Sequence, residues 1–361
     1  MKYRVTVLTP TLVGDGNKLS PIDYMVWRDQ VNVLDQPRIF RLLSKGARFD
    51  SYLTQLHKAT KLDFASWGGF AQNYADRRIP FEDAAYTPYW EKAPAESLSI
   101  PTFATERAGP FLPGAAIKGA LRCGFVFANV KPNALHDLAP SRRPADSIER
   151  QAVGSGGSDR MRVFAIGDSG AGTRETLKVY MLRVSTLAAK GPGQYSLGWK
   201  PAPTFAEMAN PGTSFEGAWR ENEFLNGPEV RQSLRWSSPM TRQRLFEAAN
   251  LYAQKQLEIH AQYAAWTGLA HLTASVADLQ RRLETARAEG KCLLSIGWGA
   301  GFTSKSSAIG IPDQDHRKVL GALPYYERAI KSGLPFPKTR KVVFLKNQPA
   351  TLPGWVELSV T

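Results

Sequence analysis

Leu112-Pro113-Gly114-Ala115-Ala116-Ile117-Lys118-Gly119-Ala120-Leu121-Arg122 is the stretch on which the reading of this chain turns. Pro113-Gly114 breaks the preceding segment and introduces a short helix, Ala115 to about Phe127. Ile117, Leu121 and Phe125 recur at helical spacing, an apolar stripe suited to docking on a sheet. Gly114 can act as an N-cap and leave the next amides free to meet an anion. Lys118 and Arg122 are four apart, so they share one helix face and can reach adjacent phosphates. Gly119 costs about 1 kcal/mol mid-helix relative to Ala, which makes sense where another backbone or a sugar-phosphate chain comes close. An amphipathic surface helix carrying two solvated cations fits the same residues equally well.

Charge on either side of this block favours a polyanionic partner. The 361 residues hold 46 Lys and Arg against 32 Asp and Glu, a net +14. The excess is uneven: +7 over 101–200 and +6 over 291–361, but +2 over 1–100 and −1 over 201–290. Two basic blocks that met in space would form one groove able to track a phosphate backbone. A generally basic surface is the plainer explanation. No apolar run reaches the roughly 18 residues of a membrane span. Met1-Lys2-Tyr3-Arg4-Val5 enters a mixed strand rather than a signal-peptide core, so a soluble, unexported, cytoplasmic protein with no membrane partner is expected. Cys123 and Cys292, the only cysteines, have no metal-ligand spacing and read as buried small hydrophobes.

Further out, alternation predicts a first strand at 3–8, followed by a tight loop around Pro10, Gly14 and Gly16. Strands are expected at 24–28 and 31–34, joined at Asp29-Gln30, then helices near 39–43 and 49–59. Residues 68–98 read as irregular linker, and 100–104 as a strand. The polar run 137–157, with Arg142, Arg143 and Arg150, reads as a long mobile segment. Strands follow at 161–166 and 177–185, and 191–203 reads as a loop. Helices are predicted over 240–265 and 276–288, the second ending at Gly290. Strands close the chain at 292–296, 342–345 and 355–360. Helices bunched among strands imply an α+β fold.

Three further loops carry chemistry. In Ile296-Gly297-Trp298-Gly299-Ala300-Gly301-Phe302-Thr303-Ser304-Lys305, alternate glycines permit unusual dihedrals and close backbone approach. Trp298 and Phe302 offer stacking faces, and Ser304 and Lys305 offer phosphate contacts. The spacing is neither a dinucleotide fingerprint nor a P-loop. Thr9-Pro10-Thr11-Leu12-Val13-Gly14-Asp15-Gly16 can present amides to a ligand. Phe336-Pro337-Lys338-Thr339-Arg340 puts two cations into an extended turn.

In this order the four segments resemble the RAMP proteins of type III CRISPR effectors, most closely the subunit that caps the guide's 3′ end in the type III-A (Csm) complex. The resemblance spans nearly the whole chain. It departs at Ala115-Ala116, where the family usually has a serine pair, and at Leu12, where a histidine is common. It implies a ferredoxin-like (RRM-like) palm in two parts, 1–136 and 291–361. Between them it implies an inserted thumb-like and loop region at 137–235, with the thumb hairpin itself sought at 137–185, and a helical region at 236–290. It further implies crRNA as ligand, a neighbouring repeating backbone subunit and a small subunit as partners, and only indirect contact with target RNA. The residues carried over to RNA binding are Gly14, Gly16, Gly114, Lys118, Arg122, Gly297, Gly299, Gly301, Phe302, Lys305, Lys338 and Arg340.

No catalytic residue, metal or cofactor is expected. Asp146, Asp159 and Asp168 stand in no recognisable motif, and Asp168 reads as a turn residue bonding its own backbone. A metal-independent nuclease that processes the guide precursor would want a positioned acid and base. His57, His136, His260, His271 and His316 offer only the adjacent pairs His136-Asp137 and Asp315-His316, and neighbouring residues rarely point the same way. That nuclease is the rival reading, with a RAMP subunit of another type III subtype as a third.

Overall fold

The computed structural model describes residues 1–46, 48–58, 73–130, 144–310, 313–321 and 323–361. The expectations placed on His136, Asp137, Arg142 and Arg143 lie outside these residues. The first sheet is antiparallel throughout, in the order β10 (Cys292–Ser295), β13 (Trp355–Val360), β1 (Lys2–Val7), β9 (Ser214–Glu221), β5 (Phe164–Ser169). Along β1, Tyr3, Val5 and Val7 point into the core, while Lys2 and Arg4 are exposed, the period-two pattern of a half-buried strand. Against this sheet pack α4 (Gly114–Asn129) and α7 (Arg242–Thr267), followed by α8 (Ala270–Ala288). Ile117, Leu121 and Phe125 of α4 are fully buried. Gly124 lets α4 and α7 touch, because a Cβ there would sit 2.8 Å from the Ala249 Cα. Gly290 follows α8 with φ 68°, the left-handed stop expected there.

The second sheet is built on β6 (Leu177–Gly191). Its first half pairs with β8 (Thr204–Ala209) and its second half with β7 (Gln194–Trp199) along one edge; β11 (Thr339–Leu345) pairs along the other and continues to β12 (Gln348–Thr351). A third sheet holds β2 (Tyr24–Trp27), β3 (Gln30–Leu34) and β4 (Ala75–Pro80). Beside it lie α1 (Gln36–Leu43) and α2 (Phe49–Lys58). The all-antiparallel sheets and segregated helices make the fold α+β.

Several segments differ from the sequence reading. The described part of 68–98 is not linker: it contains β4 and α3 (Tyr86–Glu91). Tyr86, Trp90 and Leu98 are buried, with Tyr86 Oη donating to Phe344 O at 2.7 Å and Trp90 Nε1 to Tyr24 Oη at 3.0 Å. Each such aromatic contributes about 1.5–3 kcal/mol of burial, and their irregular spacing gives no periodic signal. Strand β4 carries Asp76, Arg77 and Arg78, and Arg77 is compensated by buried Glu207 at 2.9 Å, 130 positions away. Residues 191–203 contain strand β7, so the long hairpin of this chain is β6–β7, turning at Gly191–Gln194. Strands β5 and β9, expected within the inserted region 137–235, are members of the first sheet.

Candidate nucleic-acid interface

Three loops are tied together at one end of the first sheet. The amide of Trp298 donates to Leu12 O at 2.7 Å, that of Gly354 to Pro10 O at 3.1 Å, and that of Ile296 to Gly354 O at 2.8 Å. Gly297, Gly299 and Gly301 all have positive φ, at 80°, 89° and 87°. A Cβ on Gly297 would lie 2.1 Å from Leu12 O, so only glycine lets the loops meet there. Gly14 has a similar packing role, its Cβ position lying 2.8 Å from Thr102 O. Gly16 and Gly301, by contrast, are exposed with open space around them.

The two basic blocks of the sequence meet beside these loops. Strand β11 runs antiparallel to β6, with Lys341 opposite Val184, and the Lys200 amide donates to Val184 O at 2.9 Å. Lys341 lies over Trp298, its Nζ 3.7 Å from the ring centroid. Burial, reinforced by repulsion from Lys200, holds the Lys341 ammonium down to about 8. Neither lysine has a carboxylate within 4 Å among the described residues. Two neighbouring cations without a counterion, one over an indole, form an arrangement completed by an external anion. Reading along the chain did not single out Lys200 or Lys341, because the 140 residues between them hide their approach.

The helix that dominates the sequence reading is differently employed. The α4 N-terminus is occupied by the protein's own carboxylate: Asp168 Oδ1 accepts from the Gly114 amide at 2.8 Å. Asp168 thus caps a helix 54 positions away rather than bonding its own turn, and the Gly114 amide is not available to a phosphate. A Cβ on Gly114 would meet Ile166 O at 2.4 Å, so this glycine serves the seating of α4 on β5. Lys118 Nζ donates to Phe164 O at 2.7 Å. Arg122 pairs with Glu149 and, at 2.7 Å, with Asp159. The predicted phosphate fork is therefore committed to β5, to α5 (Pro144–Val153) through Glu149, and to Asp159 beyond it.

The remaining predicted residues separate. Lys305 is exposed and Lys338 half-buried. Phe302 sits in an aromatic cluster, 4.9 Å from Phe336, 5.6 Å from Tyr326 and 6.1 Å from His316. Arg340 is buried. Its Nε donates to His260 Nδ1 at 3.2 Å, and its Nη1 donates to Pro337 O and Thr339 O at 2.6 and 2.9 Å. His260 is fully enclosed, held well below its ordinary pKa by burial and by Arg340. Both its ring nitrogens face protein partners, the second being Thr303 Oγ1 at 3.4 Å. Cys292 lies in the core and Cys123 is half-buried. Among the described residues, no helix is long and apolar enough to cross a membrane.

No family model matches the sequence, and no curated protein matches it. Solved structures do. A chain of a Csm–crRNA–target RNA ternary complex from a type III-A CRISPR-Cas system superposes with a TM-score of 0.71 at 18% identity, over 99% of this chain and 100% of that one. The chain shares its fold with Csm5. The crystal structure of T. onnurineus Csm5 superposes with a TM-score of 0.65 at 16% identity, over 98% and 99% of the two chains. The shared fold runs end to end rather than through one domain, in keeping with the whole-chain resemblance read from the four segments.

Proposed function

We propose that this chain is a non-catalytic crRNA-binding subunit of a type III-A Csm complex, seated at the guide's 3′ end. In this reading the first sheet is the ferredoxin-like palm and the β6–β7 hairpin the thumb. The RNA backbone crosses the joined loops at Gly16 and Gly301, where Lys341 and Lys200 meet phosphate and Trp298 lies beneath. The end-to-end match to Csm chains supports the assignment. The observation that carries it to particular residues is the pair of uncompensated lysines beside the glycine-rich loop. The neighbouring backbone and small subunits are the partners proposed, with target RNA reached only through the guide.

The nuclease rival gains nothing from the geometry. His260 is enclosed between Arg340 and Thr303, and the His316 ring lies in the aromatic cluster. The test is crRNA recovered per Csm complex assembled with Lys200→Glu/Lys341→Glu. A drop of tenfold or more, in a complex of unchanged subunit composition, is expected. Full crRNA occupancy would reject the assignment of the site.

A further inference from the structure

A cavity of about 550 Å³ lies between α7 and residues of 302–309, 316–317 and 333–340, and neither Lys341 nor Trp298 lines it. Volumes of about 300–1,000 Å³ are usual for small-ligand sites. Its walls combine aromatic rings (Phe302, Phe336, Trp266) with the cations Arg317 and Arg340. Among the described residues no Asp or Glu lines it.

Arg340 is the unusual member. The residue is 7% exposed and has no carboxylate within 4 Å among the described residues. Its guanidinium lies 4.6 Å over the Tyr263 ring. Nε and Nη1 are taken by His260, Pro337 and Thr339, which leaves Nη2 without a partner among the described residues. Desolvation lowers its ordinarily fixed pKa to about 10. A buried guanidinium lacking its counterion is costly to the fold. The Nη2 amino group of a cavity-lining guanidinium is left to donate a charge-assisted hydrogen bond to a phosphate or carboxylate. Aromatic rings in the same cavity add a surface on which a base can stack.

We infer that this cavity binds one nucleotide unit, its phosphate on Arg340 and its base among Phe302, Phe336 and Trp266. The unit is the guide's terminal nucleotide or a free nucleotide; the first source rests on the function proposed above, the second does not.

The test measures affinity of the full chain for three probes: a linear guide-length RNA, the same RNA circularised, and adenosine monophosphate. Each is measured on the wild type, Trp266→Leu and Arg340→Lys, with thermal unfolding confirming that every variant folds. Trp266→Leu leaves the buried arginine in place, and Arg340→Lys keeps the charge but loses the Nη2 donor. Linear RNA binding at least tenfold tighter than circular, with the difference lost in both variants, establishes the pocket as an RNA-end site. Equal binding of both RNAs, with adenosine monophosphate bound and lost in both variants, establishes a free-nucleotide site. Equal RNA binding with no mononucleotide binding, or binding that neither variant changes, overturns the inference. Lys341→Glu in parallel separates the two claims: it weakens linear and circular RNA alike if the surface reading holds, whatever the pocket does.

Discussion

Lys341 holds its ammonium 3.7 Å from the centre of the Trp298 ring, so strand β11 meets the glycine-rich loop directly. The contact leaves the cation half-desolvated and, with Lys200 beside it, short of negative charge. RNA would supply that charge. The Lys200→Glu/Lys341→Glu chain should bind RNA 10–100-fold more weakly. The slope of log affinity against log salt should fall by about one for each phosphate no longer neutralised. Titration at several salt concentrations measures both.

The Lys341 ammonium, lowered to about 8, also sets a pH dependence. The charged form is disfavoured in the free folded protein, so this penalty on stability is fully present below about 8. It fades as pH rises from about 8 towards the unfolded value near 10.4. RNA affinity runs the other way, because the binding charge is lost above pH 8. Affinity should therefore fall between pH 7 and 9, and Lys341→Arg should flatten the profile, since arginine stays protonated. An unchanged profile in that variant would show that another group titrates.

Arg122 is a structural residue on this account. Arg122→Ala leaves Glu149 and Asp159 facing each other and removes the tie between α4 and the 149–159 segment. A loss of about 1–3 kcal/mol is expected in urea unfolding, with RNA affinity per folded molecule unchanged.

The glycines should divide sharply. Gly297→Ala forces a Cβ against Leu12 O at φ 80° and should cost about 1–3 kcal/mol from backbone strain, with further destabilisation from the collision. Gly119 lies mid-helix with nothing within 4 Å. Gly119→Ala should stabilise the chain by about 0.5–1 kcal/mol and leave RNA binding intact, as thermal unfolding and RNA titration together would show.

Much of the fold could be read from local pattern. The alternation in β1 and the stripe Ile117, Leu121, Phe125 each found their element because the signal lies within a few residues. So did the alternate glycines, whose residue type permits the positive φ values found there. What escaped was long-range. Strand β4 looks like linker until Glu207, far along the chain, is seen to pair with Arg77. Lys118, Arg122 and Gly114 look like a phosphate cradle until Phe164 O, Glu149, Asp159 and Asp168 are seen to claim their donors. Isolated cations look alike in sequence whether they face a phosphate or a carboxylate. Only the partner distinguishes them, and it is β-pairing that brings Lys341 and Lys200 together with no carboxylate among the described residues beside them.

The proposed path takes guide RNA across the loops joined at Leu12 and Trp298. Its most direct test is photocrosslinking of a 4-thiouridine-substituted guide within an assembled Csm complex, with the modified peptides mapped by mass spectrometry. Crosslinks are predicted at Trp298 and at residues flanking Gly16, Gly301 and Lys341, and they should disappear in Lys200→Glu/Lys341→Glu. Crosslinks confined to the exposed face of α4, around Ala115 and Gly119, and unaffected by that variant, would contradict the claim.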